Sequence, residues 1–287
     1  LNKIIVAHSP DADDIFMYYA IKFGWIDLPN VAFDNIALDI ETLNQATLKG
    51  VYDICAISFA LYPFVKNDFA LLKTAVSFGN GYGPKLVKLK DKKLKQNFKV
   101  ALSGQYTTNA LLFKIKYPKA RITYMNFLDI EQAVIDGVVD AGVLIHESIL
   151  TYNQELEVEA EIWDIWQEFA GKDLPLPLGG MCLRRSIPLN KAIEYENALI
   201  KAVRIANNNK VLLSNMLIER DLVRVDYDTL QTYLGLYAND DSIELNELQY
   251  KALDKLYSLG FEHGFYEQLI KSQDYLIPTE YAQIRNS

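Results

Sequence analysis

The sequence predicts an α/β chain folded as two lobes with a ligand cleft between them. Three observations predict it. Short apolar runs that read as strands alternate with helical segments from Lys3 to Glu168, the pattern of α/β sheets. Two glycine-rich stretches, near 79–87 and 174–185, interrupt the alternation where the chain would cross between lobes. From Pro188 onward the pattern is helical only, with Leu199, Ala202, Val203 and Ala206 at helical spacing. The first lobe is therefore expected to hold residues 1–84 plus 179–287, and the second, inserted lobe residues 85–178.

Taken in order, Lys3–Ala7 is the first strand and His8-Ser-Pro-Asp-Ala-Asp-Asp14 the loop after it. Ile15–Phe23 reads as a helix ended by Gly24. Asp13 and Asp14 suit its N-cap and first turn, where carboxylates accept free N–H groups and meet the positive end of the helix dipole. The same two residues would border a ligand if the loop lies at the cleft. Val31–Ile40 alternates imperfectly and reads as a second strand, and a helix starting at Glu41 ends near Gly50. Tyr52–Phe59 is the third strand, with Ser58 near its end, and Phe69–Val76 is a further apolar run. Gly79-Asn-Gly-Tyr-Gly-Pro84 lacks the Gly-Lys-Ser/Thr ending of a phosphate loop. It reads as a hinge, because glycine tolerates positive φ and close approach.

Phe98–Leu102 is a strand, and Ser103-Gly-Gln-Tyr-Thr-Thr108 leads into a helix over Asn109–Tyr117. That order gathers free N–H groups at one point, and reads either as an anion site or as an ordinary Thr N-cap. After a strand at Arg121–Met125 and a helix at Leu128–Gly137 comes Ala141-Gly-Val-Leu-Ile-His-Glu-Ser148. Its apolar run stops at His146, which is expected at the carboxyl end of a buried strand, the edge where open α/β sheets bind ligands. Glu155–Glu168 reads as a partly exposed strand and helix, and Asn246-Glu-Leu-Gln249 as a capping box.

Composition narrows the partners. Lys plus Arg is 29 against 37 Asp plus Glu, a net charge of −8. Phosphate binding needs clustered cations, so nucleic acid is not expected. The seven lysines between Lys85 and Lys99 are spread over a strand, a turn and a strand, and read as a solvated edge. Cys55 and Cys182 lie far apart in apolar runs, with no CxxC and no Cys/His cluster, so no metal is expected and no cofactor is called for. Buried thiols fit a reducing compartment. Residues 1–20 hold no basic segment followed by a long apolar one, and no run of about 18 apolar residues occurs. A cytoplasmic protein without membrane contact is expected.

Four loops follow expected strands, at Ser9, Ser58, Thr107 and His146, and a cleft between lobes could gather them. The chain has three histidines, His8, His146 and His263, and the last sits in a turn-like segment as a surface or packing residue. His146 reads either as a hydrogen-bonded structural residue or as a general base, since an imidazole with pKa near ~6.5 accepts a proton at neutral pH. Glu147 is not expected to orient its ring, because adjacent side chains on extended chain point apart.

These residues carry a specific likeness. Ser9-Pro with Asp14 and Phe16, Asp39-Ile-Glu-Thr-Leu-Asn44, Ser58 with Tyr62, and Gly79 through Pro84 match in order and spacing. So do Gly104 with Thr107-Thr108, Ile145-His-Glu-Ser148 with Thr151-Tyr152, and Leu174-Pro-Leu-Pro-Leu-Gly179 with Arg184-Arg185. The chain resembles the 1,4-dihydroxy-6-naphthoate synthase family of the futalosine route to menaquinone. The resemblance implies a type II periplasmic-binding-protein-like fold used as a lyase. It implies a carboxylate-bearing small-molecule substrate, cyclic dehypoxanthinyl futalosine, cleaved to 1,4-dihydroxy-6-naphthoate with release of a three-carbon fragment. It implies His146 as the base, with substrate contacts at Ala56, Ile57, Ser58, Thr107 and Thr108. Two positions depart from the pattern. Ala56 is small where a relative has a longer polar residue, so a backbone contact there would survive and a side-chain contact would not, and Asp11-Ala-Asp13 stands where a relative has Cys-Pro-Asn. The rival readings are a non-catalytic solute-binding protein of the same fold, and chorismate dehydratase of the same pathway, which lacks the Ile-His-Glu-Ser segment.

Overall fold

The computed structural model describes residues 2–26, 31–171 and 173–278, so the expected first lobe's last stretch, 279–287, lies outside the described residues. The chain opens with β1 (Asn2–His8), α1 (Ala12–Lys22), β2 (Val31–Ala37), α2 (Ile40–Leu48) and β3 (Ile54–Ser58). β1 lies parallel between β2 and β3. The short α3 (Tyr62–Val65), β4 (Phe69–Leu71) and β5 (Ser77–Gly79) follow. The chain then builds a second sheet from β6 (Lys85–Leu89), β7 (Lys99–Leu102), β8 (Arg121–Tyr124), β9 (Ala141–Leu144) and β10 (Leu156–Glu161), in the order β10-β6-β9-β7-β8. Here α4 (Thr108–Lys116) links β7 to β8, α5 (Phe127–Ile135) links β8 to β9, and α6 (Ile162–Ala170) follows β10. Finally β11 (Leu176–Arg184) returns to the first sheet, antiparallel to β3, β4 and β5. The helices α7 (Leu189–Asn208), α8 (Lys210–Glu219), α9 (Tyr227–Tyr237) and α10 (Glu247–Glu262) close the chain.

Each sheet is the core of one lobe. Apolar side chains of β3, β6, β7, β9, α4 and α10 form one continuous buried cluster. A second cluster joins Phe16 and Met17 of α1 to Ala202, Leu213, Leu230 and Leu234 of α7, α8 and α9, so the C-terminal helices cover the first lobe at the start of α1.

Three segments differ from their sequence reading, each for a local reason. The helix α1 begins at Ala12 with Asp11 as its N-cap residue, in extended conformation, so Asp13 and Asp14 fall in the first turn. The apolar run after Phe69 stops pairing at Leu71, and Ala75 takes a positive φ of 54° that no strand accommodates. The stretch at 174–185 is mostly nine residues of strand, not open crossing; Pro177 is tolerated because the register with β5 shifts between it and Gly179.

Candidate functional site

The carboxyl ends of β1, β3, β7 and β9 converge on one cleft, whose empty space counted with its open mouth is about 730 Å³. Its wall includes all six residues expected from the sequence: His146, Ala56, Ile57, Ser58, Thr107 and Thr108. Ser9, Asp13 and Asp14 line it too. The first sheet supplies Ser9 and the 56–58 segment, and the second supplies Thr107, Thr108 and His146, so the cleft lies between the lobes.

The three histidines separate cleanly. His8 is buried at the end of β1, where its ring bonds the Ser9 carbonyl and Asn35. His263 is exposed at the end of α10. Only His146 lines the cleft. The chain leaves β9 through extended Ile145 and turns at His146, whose φ is +57°, a left-handed conformation that costs a residue with a Cβ roughly 1–2 kcal/mol. His146 Nδ1 lies 2.8 Å from Asp11 Oδ2. The Phe127 ring packs edge-on against the imidazole with ring centres 4.8 Å apart, and the Arg224 guanidinium lies over the Phe127 ring, 5.1 Å from its centre. Nε2 has no hydrogen-bond partner among the described residues. Burial pushes the imidazole pKa down, but the adjacent Asp11 carboxylate, aided by Glu147, outweighs it and the net shift is upward.

Glu147 makes no hydrogen bond to the ring; the two residues share a 3₁₀ turn, His146–Ile149, in place of the expected extended chain, and the Glu147 carboxylate is bonded elsewhere. One oxygen accepts the Ala12 N–H at the start of α1 (3.0 Å) and the other accepts from Arg224 (3.1 Å). Arg224 also bonds Asp11 Oδ1 at 3.2 Å. Burial would raise the Asp11 pKa, yet His146, Ser9 and Arg224 together hold it below the ordinary carboxylate value. Asp13 goes the other way. Burial, then the charges of Asp14, Asp11 and Glu147, push it well up, and Asp14 is raised by burial and Asp11.

The opposite wall is neutral. Ser58 Oγ accepts from Asn44 Nδ2 (3.1 Å) while Asn44 Oδ1 accepts the Ser58 N–H (3.0 Å), so the hydroxyl proton of Ser58 is left to donate. Ala56 and Ile57 are almost wholly buried in the β3–β11 ladder, so Ile57 in particular can offer main chain only. Thr107 is the N-cap of α4: its hydroxyl accepts from the Ala110 N–H and donates to the Gly104 carbonyl. The hydroxyl proton is thus committed to Gly104, which leaves the main-chain N–H groups as the donors that this segment can offer a ligand. The Thr108 hydroxyl donates across the cleft to the Leu178 carbonyl at 3.3 Å. What α4 can offer a ligand is its first-turn N–H groups.

Four residues of the site were not singled out in the sequence. Asp11 reads there as loop. Arg224 lies in the connection between α8 and α9, far along the chain. Tyr233 and Tyr237 of α9 line the cleft, and their i, i+4 spacing was the one local sign of a shared face. Among the described residues no group of three or more His, Cys, Asp or Glu is arranged to hold a metal ion, and no helix is long and apolar enough to cross a membrane.

Comparison with known proteins gives one consistent picture. The sequence profile of a family described as menaquinone biosynthesis matches residues 4–262. A 1,4-dihydroxy-6-naphthoate synthase from Streptomyces coelicolor is 29% identical over 271 residues, 92% of this chain and 94% of that protein. One from Thermus thermophilus is 27% identical over 269 residues, 92% of this chain and 96% of that protein. Among solved structures, a protein from Archaeoglobus fulgidus superposes with a TM-score of 0.84 at 33% identity, covering 91% of this chain and 98% of its own. The ligand-binding component of an ABC-type import system from Staphylococcus aureus superposes at 0.71 over both full chains with 11% identity, a likeness of fold alone. The fold is that of the periplasmic binding proteins.

Proposed function

The chain belongs to the menaquinone biosynthesis family, and from that premise we propose that it is a carbon–carbon lyase converting cyclic dehypoxanthinyl futalosine to 1,4-dihydroxy-6-naphthoate, with His146 as general base. The observation that carries this reading is the state of the imidazole. Asp11, held as a carboxylate, can only accept, so Nδ1 carries the proton and Nε2 the lone pair. Nε2 has no partner among the described residues, on the single histidine that lines the cleft. In its neutral form it takes a proton from the substrate and starts elimination of the cyclic sugar remnant, leaving the naphthoate and a three-carbon fragment.

Electrostatics orients the substrate. A carboxylate is repelled from the end of the cleft holding Asp11 and attracted to the first-turn N–H groups of α4 and the Ser58 hydroxyl, where the helix dipole favours an anion. That sets the ligand's acid at one end and its reacting carbons beside His146.

Turnover of cyclic dehypoxanthinyl futalosine, followed by product absorbance, tests the reading. We expect the His146→Asn protein to fold and to lose turnover by about 10²–10⁴-fold. The acid limb of kcat/KM for the unsubstituted protein should lie above the ordinary imidazole value, as the raised pKa requires. Full activity in His146→Asn would end the base assignment. Tight binding without turnover would make the chain a solute-binding protein, and turnover of chorismate instead would make it the dehydratase.

A further inference from the structure

We infer that Asp11, carried by the first lobe, is a positioning residue for the reaction, holding His146 of the second lobe in one tautomer and one orientation. The inference rests on the base reading above and adds a residue to it.

Asp11 is in the wrong state to touch substrate. Its side chain is 3% exposed. Oδ2 takes both the Ser9 hydroxyl and His146 Nδ1, and Oδ1 takes Arg224. Asp11 lines the cleft, but with three partners its carboxylate keeps little capacity for a ligand, so its effect runs through the imidazole. It also forgoes an ordinary role: at the N-cap position of α1 its side chain makes no cap hydrogen bond. The N–H of Ala12, the first residue of the helix, is satisfied by Glu147 from the second lobe. The two lobes thus exchange acceptors. The first lobe's N-cap carboxylate serves the second lobe's histidine, and the residue after that histidine serves the first lobe's helix.

The exchange fits a strained residue. His146 sits at positive φ, where a side chain must be held by its surroundings if it is to keep one orientation. The bond from Nδ1 fixes the ring about χ2, and Phe127 packs one edge. The charged groups facing the ring are Asp11, Glu147 and Arg224, while Asp13 and Asp14 stand near Asp11 on the same turn. Replacing Asp11 by Asn keeps the shape, but its amide can present N–H to Nδ1 and fix the opposite tautomer, which protonates Nε2 and removes the base.

The test uses Asp11→Asn, Asp11→Glu and His146→Asn in the full chain, each checked for folding by its melting curve. NMR of protein labelled at histidine follows three ring titrations, and the signal missing from His146→Asn identifies His146. In Asp11→Asn we expect the His146 midpoint to fall. We expect kcat to fall by about tenfold or more with KM within about twofold, and the acid limb of kcat/KM to move down with the midpoint. Asp11→Glu should recover part of each. If Asp11→Asn fails to fold, Asp11→Ser is measured in its place. A His146 midpoint that does not move, or an unchanged kcat in a folded variant, overturns the positioning role. If His146→Asn is inactive while Asp11→Asn is normal, only this inference fails. If His146→Asn remains active, the base reading fails and takes this inference with it.

Discussion

Replacing Gly104 by alanine should weaken ligand binding without weakening the fold. Gly104 follows β7 on the second lobe and lies against Glu41 of α2 on the first. A Cβ built there would stand 2.2 Å from Glu41 Oε2 and 2.8 Å from Glu41 Cβ, inside the 3.4 Å at which ordinary contact begins. The carboxylate could swing aside only by giving up its bonds from Gln45 Nε2 and the Tyr106 N–H. The Glu41 Cβ cannot swing at all, since it moves with the backbone of α2, so the lobes must part by roughly half an ångström. Overpacking of this kind costs about 1–3 kcal/mol. Because the clash exists only where the lobes meet, the cost falls on the closed arrangement and should appear as a ~5–150-fold loss of affinity. The assays are KM for turnover, the equilibrium Kd for product, and the melting temperature. We expect KM and Kd to rise together with the melting temperature nearly unchanged, and Glu41→Ala in the same chain to relieve the effect. Unchanged KM and Kd would refute the argument. So would a lowered melting temperature with normal KM, because the clash would then belong to the folded core and not to closure.

Two further outcomes follow from single contacts. Thr107→Val removes the N-cap of α4, which should cost about 1 kcal/mol and lower the melting temperature by ~2–4 °C, while raising KM more than it changes kcat; a changed KM with no change in melting would mean that the threonine touches ligand directly. Glu196, buried on α7 with one oxygen on the Lys73 N–H, has its pKa pushed up to about 7 by burial. A carboxyl raised in the folded state contributes stability below its unfolded value near 4.5 and loses it as pH rises through 7. Glu196→Gln should therefore be more stable than the parent at pH 8, by on the order of 3 kcal/mol, with the difference fading below about pH 5. Urea unfolding at the two pH values measures it, and a pH-independent difference would show that Glu196 does not titrate in this range.

The parts of the molecule that follow from local pattern were legible in the sequence. The β9 run announced its own end at His146, and the Asn246 capping box forms with Gln249 as its spacing requires. Ser58, Thr107 and His146 were reachable because each closes a strand or opens a helix, and strand ends in an α/β sheet face one edge. Asp11 was not, because it reads as loop ahead of Asp13 and Asp14, which take the cap and first-turn reading. Its diversion to His146 depends on where the second lobe docks, which no window of sequence contains. Arg224 is more distant still, 213 positions from Asp11, on a connection with no periodicity to mark it. The hydroxyl of Thr107 shows the opposite case: both local readings, cap and anion site, were open, and the hydrogen bonds assign the side chain to the cap while leaving the first-turn N–H groups for an anion.

A protein with net charge −8 that takes a carboxylate ligand needs its charge partitioned, and the cleft is built that way. Asp11, Asp13, Asp14 and Glu147 lie together around the His146 end, where the Arg224 cation bonds Asp11 and Glu147. Were all four carboxyls ionised, the reacting end would repel the substrate it must accept. Burial instead raises Asp13 and Asp14, so that protons stay on them to higher pH, while the partners of Asp11 hold it as a carboxylate. The other wall carries no ionic side chain; it offers Ser58 and the start of α4, dipoles that need no counter-ion. The imidazole then sits at the boundary, its basicity set by the acidic end and its substrate delivered by the neutral one. A lysine placed beside Thr108 would bind the carboxylate more strongly but would also lower the basicity of His146 across a low-dielectric cleft, which is a physical reason for recognition by backbone at this site.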